Sequence, residues 1–341
     1  MRMLAILCAC LALGAWASVP PSPFNGRVPA PVDGAAPLRV LISGHLHGSS
    51  TNRSGLPAAT VLAAMDTIER LGAHVFLSTG DLFMDKEEDI PGYERALFQR
   101  LSMPLYNVPG NHDLGMRSYV DRFGPTHMVL DLGRLVVVLI DTERDNGDIK
   151  GEQLAALTAL ADTLHDRPLL VLAHRPLWVE DDPQYKGLFK GNTRSALPTN
   201  YRKEVAPLLE RLARRLPVYW VSGSMAGGAP ASIFMHQHAP NLTFIQSAIR
   251  DEPRDAVLLM DVWPEGRVTW AGVSLTGRPV RPVETLDAAY WLANTRQKEP
   301  FNWRLLPYLV MTTVRHPAYW WGVATMVALV VVVWSFRRRR R

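Results

Sequence analysis

The stretch "PLYNVPGNHD" (residues 104–113) changes character halfway along. Its first half is short and apolar and reads as a buried β-strand. Its second half, Gly110-Asn111-His112-Asp113, sets polar side chains able to bind metal or carry protons at the strand's carboxyl end. Three other segments do the same. "HVFLSTGD" (74–81) ends at Asp81, "PLLVLAH" (168–174) ends at His174, and "LRVLISGHLHG" (38–48) runs into His45 and His47. One such Asp is commonly a helix cap, and one such His a satisfied structural residue. A whole set at successive strand ends points instead to a ligand site, because α/β proteins bind ligands at the carboxyl ends of their strands.

Between these segments lie helical patterns. "LPAATVLAAMDTIERLG" (56–72) and "GEQLAALTALADTLH" (151–165) are amphipathic, the second with Leu154, Leu157, Leu160 and Leu164 at helical spacing. "RLVVVLID" (134–141) and "VYWVSGS" (218–224) complete the strand candidates of an α/β chain whose sheets are covered by helices. "NLTFIQSAI", "DAVLLMDVW" and "GRVTWAGVSL" follow without intervening helices, so the pattern predicts a second, antiparallel portion.

In order and spacing, Gly80-Asp81, Gly110 to Asp113 and the "AHRPLW" around His174 resemble the calcineurin-like metallophosphoesterases. The family pattern runs Asp-x-His, Gly-Asp, Gly-Asn-His-Asp/Glu, a lone His, then Gly-His-x-His. "FGPTHMVLDLG" ahead of a strand ending "LID" also fits, and the likeness extends over residues 38–275. It implies a four-layer αββα sandwich of two mixed sheets with a dinuclear site of divalent Mn, Fe or Zn at their edge. It further implies that His47 binds the first metal, that Asp81 bridges both, and that Asn111 and His174 bind the second. Asp113 would orient His112 as general acid. Cation pairs about 3.5–4 Å apart clamp phosphate oxygens and activate water for in-line attack, which a bridging carboxylate suits.

Two departures stand out. Where the family has Asp-x-His, this chain has His45-Leu46-His47, and imidazole ligates without supplying a negative charge. Where the family has Gly-His-x-His, "VSGSMAGG" (221–228) puts Ser224 and Ala226 at the histidine positions. Of seven usual ligand positions, four are kept, one is replaced by His45 and two are lost. His45, His47 and Asp81 would then serve one metal, and Asp81, Asn111 and His174 the other, three protein ligands each. His236 and His238 in "FMHQH" share one strand face and either add ligands or form a surface pair. The polar stretch 181–200 offers Lys186, Lys190 and Arg194, with Arg175 before it, as phosphate contacts or as a solvated loop.

The chain's +5 formal charge does not indicate nucleic acid, since Arg2 and the terminal arginines 337–341 supply six positive charges and leave the rest near neutral. "MRMLAILCACLALGAWAS" reads as a signal peptide cleaved after Ala17. Both cysteines, Cys8 and Cys10, lie inside it, so the mature chain has no disulfide or thiolate chemistry. Residues 18–37 are rich in Pro and Gly and read as an extended linker, and 276–316 as a juxtamembrane segment. Residues 317–336 form an uncharged run edged by Tyr319, Trp320, Trp321, Trp334 and Phe336, a transmembrane helix followed by a basic cytoplasmic tail, 337–341. A processed sorting tail is the competing explanation. Together these features predict an exported, membrane-anchored phosphoester hydrolase on the extracytoplasmic side, its partners a phosphoester substrate and the membrane. A catalytically degenerate binding or scaffolding module of the same fold is the alternative.

Overall fold

The structure, a computed structural model, describes residues 19–341 except 85, 116–118, 181–184, 186–187, 190–197, 225–232, 295–302, 304–305, 316 and 340–341. The signal peptide, Ala226, Lys186, Lys190 and Arg194 therefore lie outside the described residues.

The strands are β1 (Leu38–Ser43), β2 (Val75–Ser78), β3 (Leu105–Asn107), β4 (Met128–Asp131), β5 (Val136–Ile140), β6 (Leu169–Ala173), β7 (Val218–Ser222), β8 (Ile233–Ala239), β9 (Leu242–Ser247), β10 (Ala256–Val262) and β11 (Val268–Ser274). They form two mixed sheets, ordered β11-β10-β1-β2-β3 and β4-β5-β6-β7-β9-β8. Strand alternation explains the layering. Leu38, Val40 and Ile42 of β1, with Val75 and Leu77 of β2, face the core between the sheets, whereas Leu41 and Phe76 face outward. There they meet Val61, Ala64, Met65 and Ile68 of α1 (Ala59–Arg70). On the far side of the second sheet, Leu157 and Ala161 of α5 (Gly151–Thr163) and Leu209 and Leu212 of α6 (Ala206–Ala213) close the fourth layer. Between α1 and α5 come α2 (Lys86–Tyr93), α3 (Asn111–Leu114) and α4 (Tyr119–Phe123).

β1, β2 and β3 run parallel, as do β5, β6, β7 and β9, so each sheet gathers strand ends on one edge. The two edges meet where His174 Nδ1, after β6, lies 2.9 Å from the Thr79 carbonyl after β2. β10 and β11 form the expected antiparallel hairpin on β1. β9 does not join them. It pairs parallel with β7, because β8 turns back through Asn241, in the left-handed region at φ +60°, before β9 enters the sheet.

Residues 19–37 are packed rather than a free spacer. β3 is an edge strand, and the Ser22 hydroxyl donates to the Leu105 carbonyl at 2.5 Å while Asn25 donates to Met103. The Tyr106 hydroxyl donates to Pro20, and Phe24 stacks on Phe123 with ring centroids 4.5 Å apart. This strap satisfies the edge groups that otherwise invite foreign strands. The other end of the domain also runs past 275. Val283, Leu286 and Trp291 join the core, Leu286 accepts from the Met235 amide, and Trp291, in α7 (Ala288–Asn294), donates to Ile233. That segment covers β8, the edge of the second sheet. Beyond it, α8 (Leu306–Arg315) lies against α1, and α9 (Pro317–Arg339) is exposed along its length. With 23 residues, and an 18-residue stretch of mean hydropathy 1.7 within them, α9 is long and apolar enough to cross a membrane.

Removing the strap's anchors tests its weight. Phe24→Ala, which exposes ring surface on Phe98 and Phe123, is expected to cost about 1–2 kcal/mol. Ser22→Ala, which strands a buried carbonyl, is expected to cost about 1 kcal/mol. Unfolding midpoints in urea check both, and unchanged midpoints would reduce residues 19–37 to the linker that their composition suggests.

Candidate metal centre

The loop after β2 places Gly80 and Asp81 in the left-handed region, at φ +95° and +55°. Gly80 is required by more than its backbone: a Cβ there would lie 2.5 Å from His174 Nδ1. At Gly110, after β3, a Cβ would lie 2.1 Å from Asp81 Oδ1. The two glycines thus let three loops close on one carboxylate.

Asp113 holds these loops from beneath. Its buried carboxylate accepts the amides of Asp81, Leu82, Phe83 and Gly110 at 2.9–3.2 Å and the Asn107 side chain at 3.2 Å. Burial, and next the Asp81 charge, push its pKa up to about 6 against those donors, so at neutral pH it is ionised. The sequence-based role for Asp113, orienting the His112 ring, does not hold. Its oxygens serve the backbone, and His112 Nδ1 instead lies 3.1 Å from the Met84 carbonyl.

Around Asp81 stand four imidazoles. Asp81 Oδ2 lies 3.2 Å from His45 Nε2, 3.4 Å from His174 Nε2 and 3.9 Å from His47 Nε2, while Oδ1 accepts the His112 amide at 3.1 Å. Burial would raise the Asp81 carboxyl, but His174, His47 and His45 outweigh it and hold it well below the usual carboxylate range. Burial first, then the neighbouring rings, keeps His45 well below the usual imidazole range, hence neutral. His45 itself sits at φ +52°, an uncommon conformation for a non-glycine residue.

Buried atoms without hydrogen-bond partners show what such a site would take. Both ring nitrogens of His47, and His174 Nε2, have none among the described residues. The Thr79 carbonyl can only accept, so His174 carries a proton on Nδ1 and directs Nε2 toward the Asp81 carboxylate 3.4 Å away. A histidine whose Nδ1 donates to a backbone carbonyl is a usual form of a metal ligand, with Nε2 left to coordinate. The donor set fits divalent transition ions. His45, Asp81 and His174 form one group with ligand atoms within 4.8 Å of one another, and His47, Asp81 and His112 form a second. Sequence grouped them otherwise, with His45 and His47 on one ion.

Asn111 opens α3 directly beside the site and is half-buried. Ser224 is buried, its amide donating to the His174 carbonyl at 2.8 Å and its own carbonyl accepting from Gln246 at 2.7 Å. His236 and His238 belong elsewhere. They pack on Tyr185, whose hydroxyl lies 3.0 Å from His238 Nδ1. Arg175 is not a free phosphate contact but a buried partner of Glu143, bonded twice at 2.7 and 2.8 Å. Sequence reasoning missed Asp251, whose carboxylate accepts the Ser49 amide at 3.3 Å and the Thr60 amide at 3.2 Å. It ties the His47 turn to the start of α1. The signal was there: α1 begins after Ala58, which has no capping side chain.

Residues 38–199 match the family model described as calcineurin-like phosphoesterase. No curated protein matches the chain. Among solved structures, the chain is similar to a dimetal phosphatase from Danio rerio, at 14% identity over 70% of this chain and 97% of the other, with TM-score 0.46. It is also similar to a purple acid phosphatase from yellow lupin seeds, at 10% identity over 74% of this chain, with TM-score 0.49. It spans about half of that lupin protein, 54%.

Asp113→Asn would turn an amide NH2 toward backbone N–H groups that need an acceptor. The expected loss is about 3 kcal/mol or more, read by chemical denaturation. Native stability would mean that the loops are held by something other than this carboxylate.

Proposed function

From a chain whose residues 38–199 belong to the calcineurin-like phosphoesterases, we propose a metal-dependent phosphoester hydrolase, exported and anchored by α9 with its domain on the extracytoplasmic side. One observation carries the catalytic part: both ring nitrogens of His47, and Nε2 of His174, lack hydrogen-bond partners among the described residues and lie beside an ionised Asp81. Imidazoles and a carboxylate suit Zn, Fe or Mn. Such ions supply Lewis acidity toward a phosphoryl oxygen and toward water. Asp81 would supply the shared negative charge, His45, His47 and His174 would supply nitrogen donors, and Asp113 and Asp251 hold the loops that carry them.

The degenerate alternative also has support. Ser224 stands where the family has a histidine, and residues 225–232 contain no His, Asp, Glu or Cys. Membrane anchoring is supported by the exposed apolar α9 and its arginine tail.

Two measurements test this proposal. Purified protein grown with Mn, Fe and Zn should contain stoichiometric metal and hydrolyse aryl phosphate mono- or diesters, and a chelator or Asp81→Ala should remove both properties. If the wild type is inactive and the double variant Ser224→His with Ala226→His is active, the natural protein is the degenerate module. For topology, a reporter fused ahead of residue 317 should be active only on the extracytoplasmic side. Protection of the domain from protease until the cytoplasm is opened would reverse the orientation.

A further inference from the structure

Resting on the membrane anchoring proposed above, we infer that a cavity between α1, the helical turn Glu94–Phe98 and α8 binds the headgroup of an anionic phospholipid from the leaflet that α9 enters. Arg95 and Arg100 take the phosphate, and the apolar wall takes the first carbons of the chains.

The cavity holds about 390 Å³, and its chemistry is divided. Leu62 and Ala63 of α1 and Met311 of α8 give it apolar surface, while Arg95, Arg100 and Asp66 bring charge. Arg95 is exposed, and its guanidinium has no hydrogen-bond or ion-pair partner among the described residues. Arg100 meets Asp66 at 3.4 Å, but the Asp66 side chain is 86% exposed, so the pair is open to water and a phosphate oxygen can take its place. Two guanidiniums against one carboxylate leave the lining positive, and the planar guanidinium suits phosphate oxygens. The backbone is unusual at the same place. The Gln99 amide bonds at 2.9 Å to the Glu94 carbonyl, five residues back, a widened turn of the kind that recurs at functional sites.

Position favours a lipid over a soluble anion. Met311 stands six residues ahead of Pro317, where α9 begins, a distance of roughly 10 Å along a helix and about 20 Å in a fully extended chain. The polar layer on each side of a bilayer is about 5–8 Å deep, so the cavity lies at or just above the headgroups. The junction between the helices is tied, since the Trp320 indole of α9 donates to the Val314 carbonyl of α8 at 2.8 Å. Leu306 and Val310, one turn apart on α8, are 43% and 51% exposed, an apolar stripe that suits the membrane surface. A soluble anion would use the arginines alone, whereas the apolar wall and the neighbouring span fit an anion that carries acyl chains. Leu56 also lines the cavity, and the Asn52 side chain donates to its carbonyl at 2.9 Å and to that of His47 at 2.8 Å. A lipid held there seats the turn that carries His47 close to the bilayer.

Fluorescence anisotropy of a dye-labelled phosphatidylglycerol, titrated with the full-length protein in micelles of a neutral detergent, tests the inference. Binding should saturate, and phosphatidylcholine with the same chains and dye should bind more weakly. Arg95→Glu should weaken phosphatidylglycerol roughly five-fold or more, the factor that about one basic side chain is worth at a membrane surface. Ala63→Phe, which fills the cavity, should weaken it as well, and Asp81→Ala should bind it like the wild type. Equal binding by the wild type, Arg95→Glu and Ala63→Phe would make the lipid a neighbour of α9 alone and overturn the site. Loss of binding in Asp81→Ala would put the phosphate at the metal centre, and displacement of the lipid by an equal concentration of inorganic phosphate would make the ligand a soluble anion; either result overturns the inference. Failure of the anchoring proposal is seen separately. If alkaline carbonate strips the wild-type chain from membranes, α9 is no span and the inference falls with it, whereas a chain that resists stripping and binds lipid without regard to Arg95 refutes the lipid site alone.

Discussion

A single carboxylate beneath the site, that of Asp113, governs how the strand ends are arranged. It collects four backbone amides from two loops and one side-chain amide, from Asn107 at the end of β3. Those donors would otherwise be buried without acceptors, a penalty of about 1–3 kcal/mol each. With the loops pinned, Asp81 has no choice but to stand above them in its left-handed conformation. Everything else at the centre is positioned against that one side chain. The Gly80 and Gly110 backbones make the approach possible, and the Thr79 and Met84 carbonyls set the faces that His174 and His112 turn inward.

Charge follows from this geometry. Replacing the usual first aspartate with His45 leaves Asp81 as the one carboxylate in both candidate half-sites. Two dications there would keep most of their positive charge. An anionic ligand with several oxygens, such as a phosphoryl group, would meet a site that two such ions leave strongly electropositive, and Coulomb interactions of this kind are stronger where water is excluded. The same substitution makes the centre rich in nitrogen, which shifts its preference along the metal series more than it changes the number of ligands.

Much of the architecture was legible because its signals are local. The apolar run 38–43 coincides with β1, and the ends of β2, β3 and β6 carry the residues that their polar termini announced. What was not legible depends on partners distant in sequence. No local pattern states that β9 lies parallel to β7. Proline-rich composition suggested a loose linker, yet Ser22 and Phe24 find acceptors and rings about 80–100 residues away. Trp291 lies in the stretch that composition assigns to a juxtamembrane segment, and only its bond to Ile233, 58 residues away in sequence, places it against the second sheet. Motif spacing identified His112, but the partner of its Nδ1, the Met84 carbonyl 28 residues away in sequence, is set by the fold.

His45 and Asp81, both held at positive φ, bear on the protein's survival as well as its chemistry. Backbone in such regions costs of order 1–3 kcal/mol per residue, and it persists only where the surroundings over-determine it. Ions that bind only the native state would offset that cost, by about 2.7 kcal/mol at a free concentration one hundred times the dissociation constant. The fraction of chains that stay folded and escape proteolysis would then follow the supply of transition metal in their compartment, and starvation for metal would lower the abundance of this protein as well as its activity.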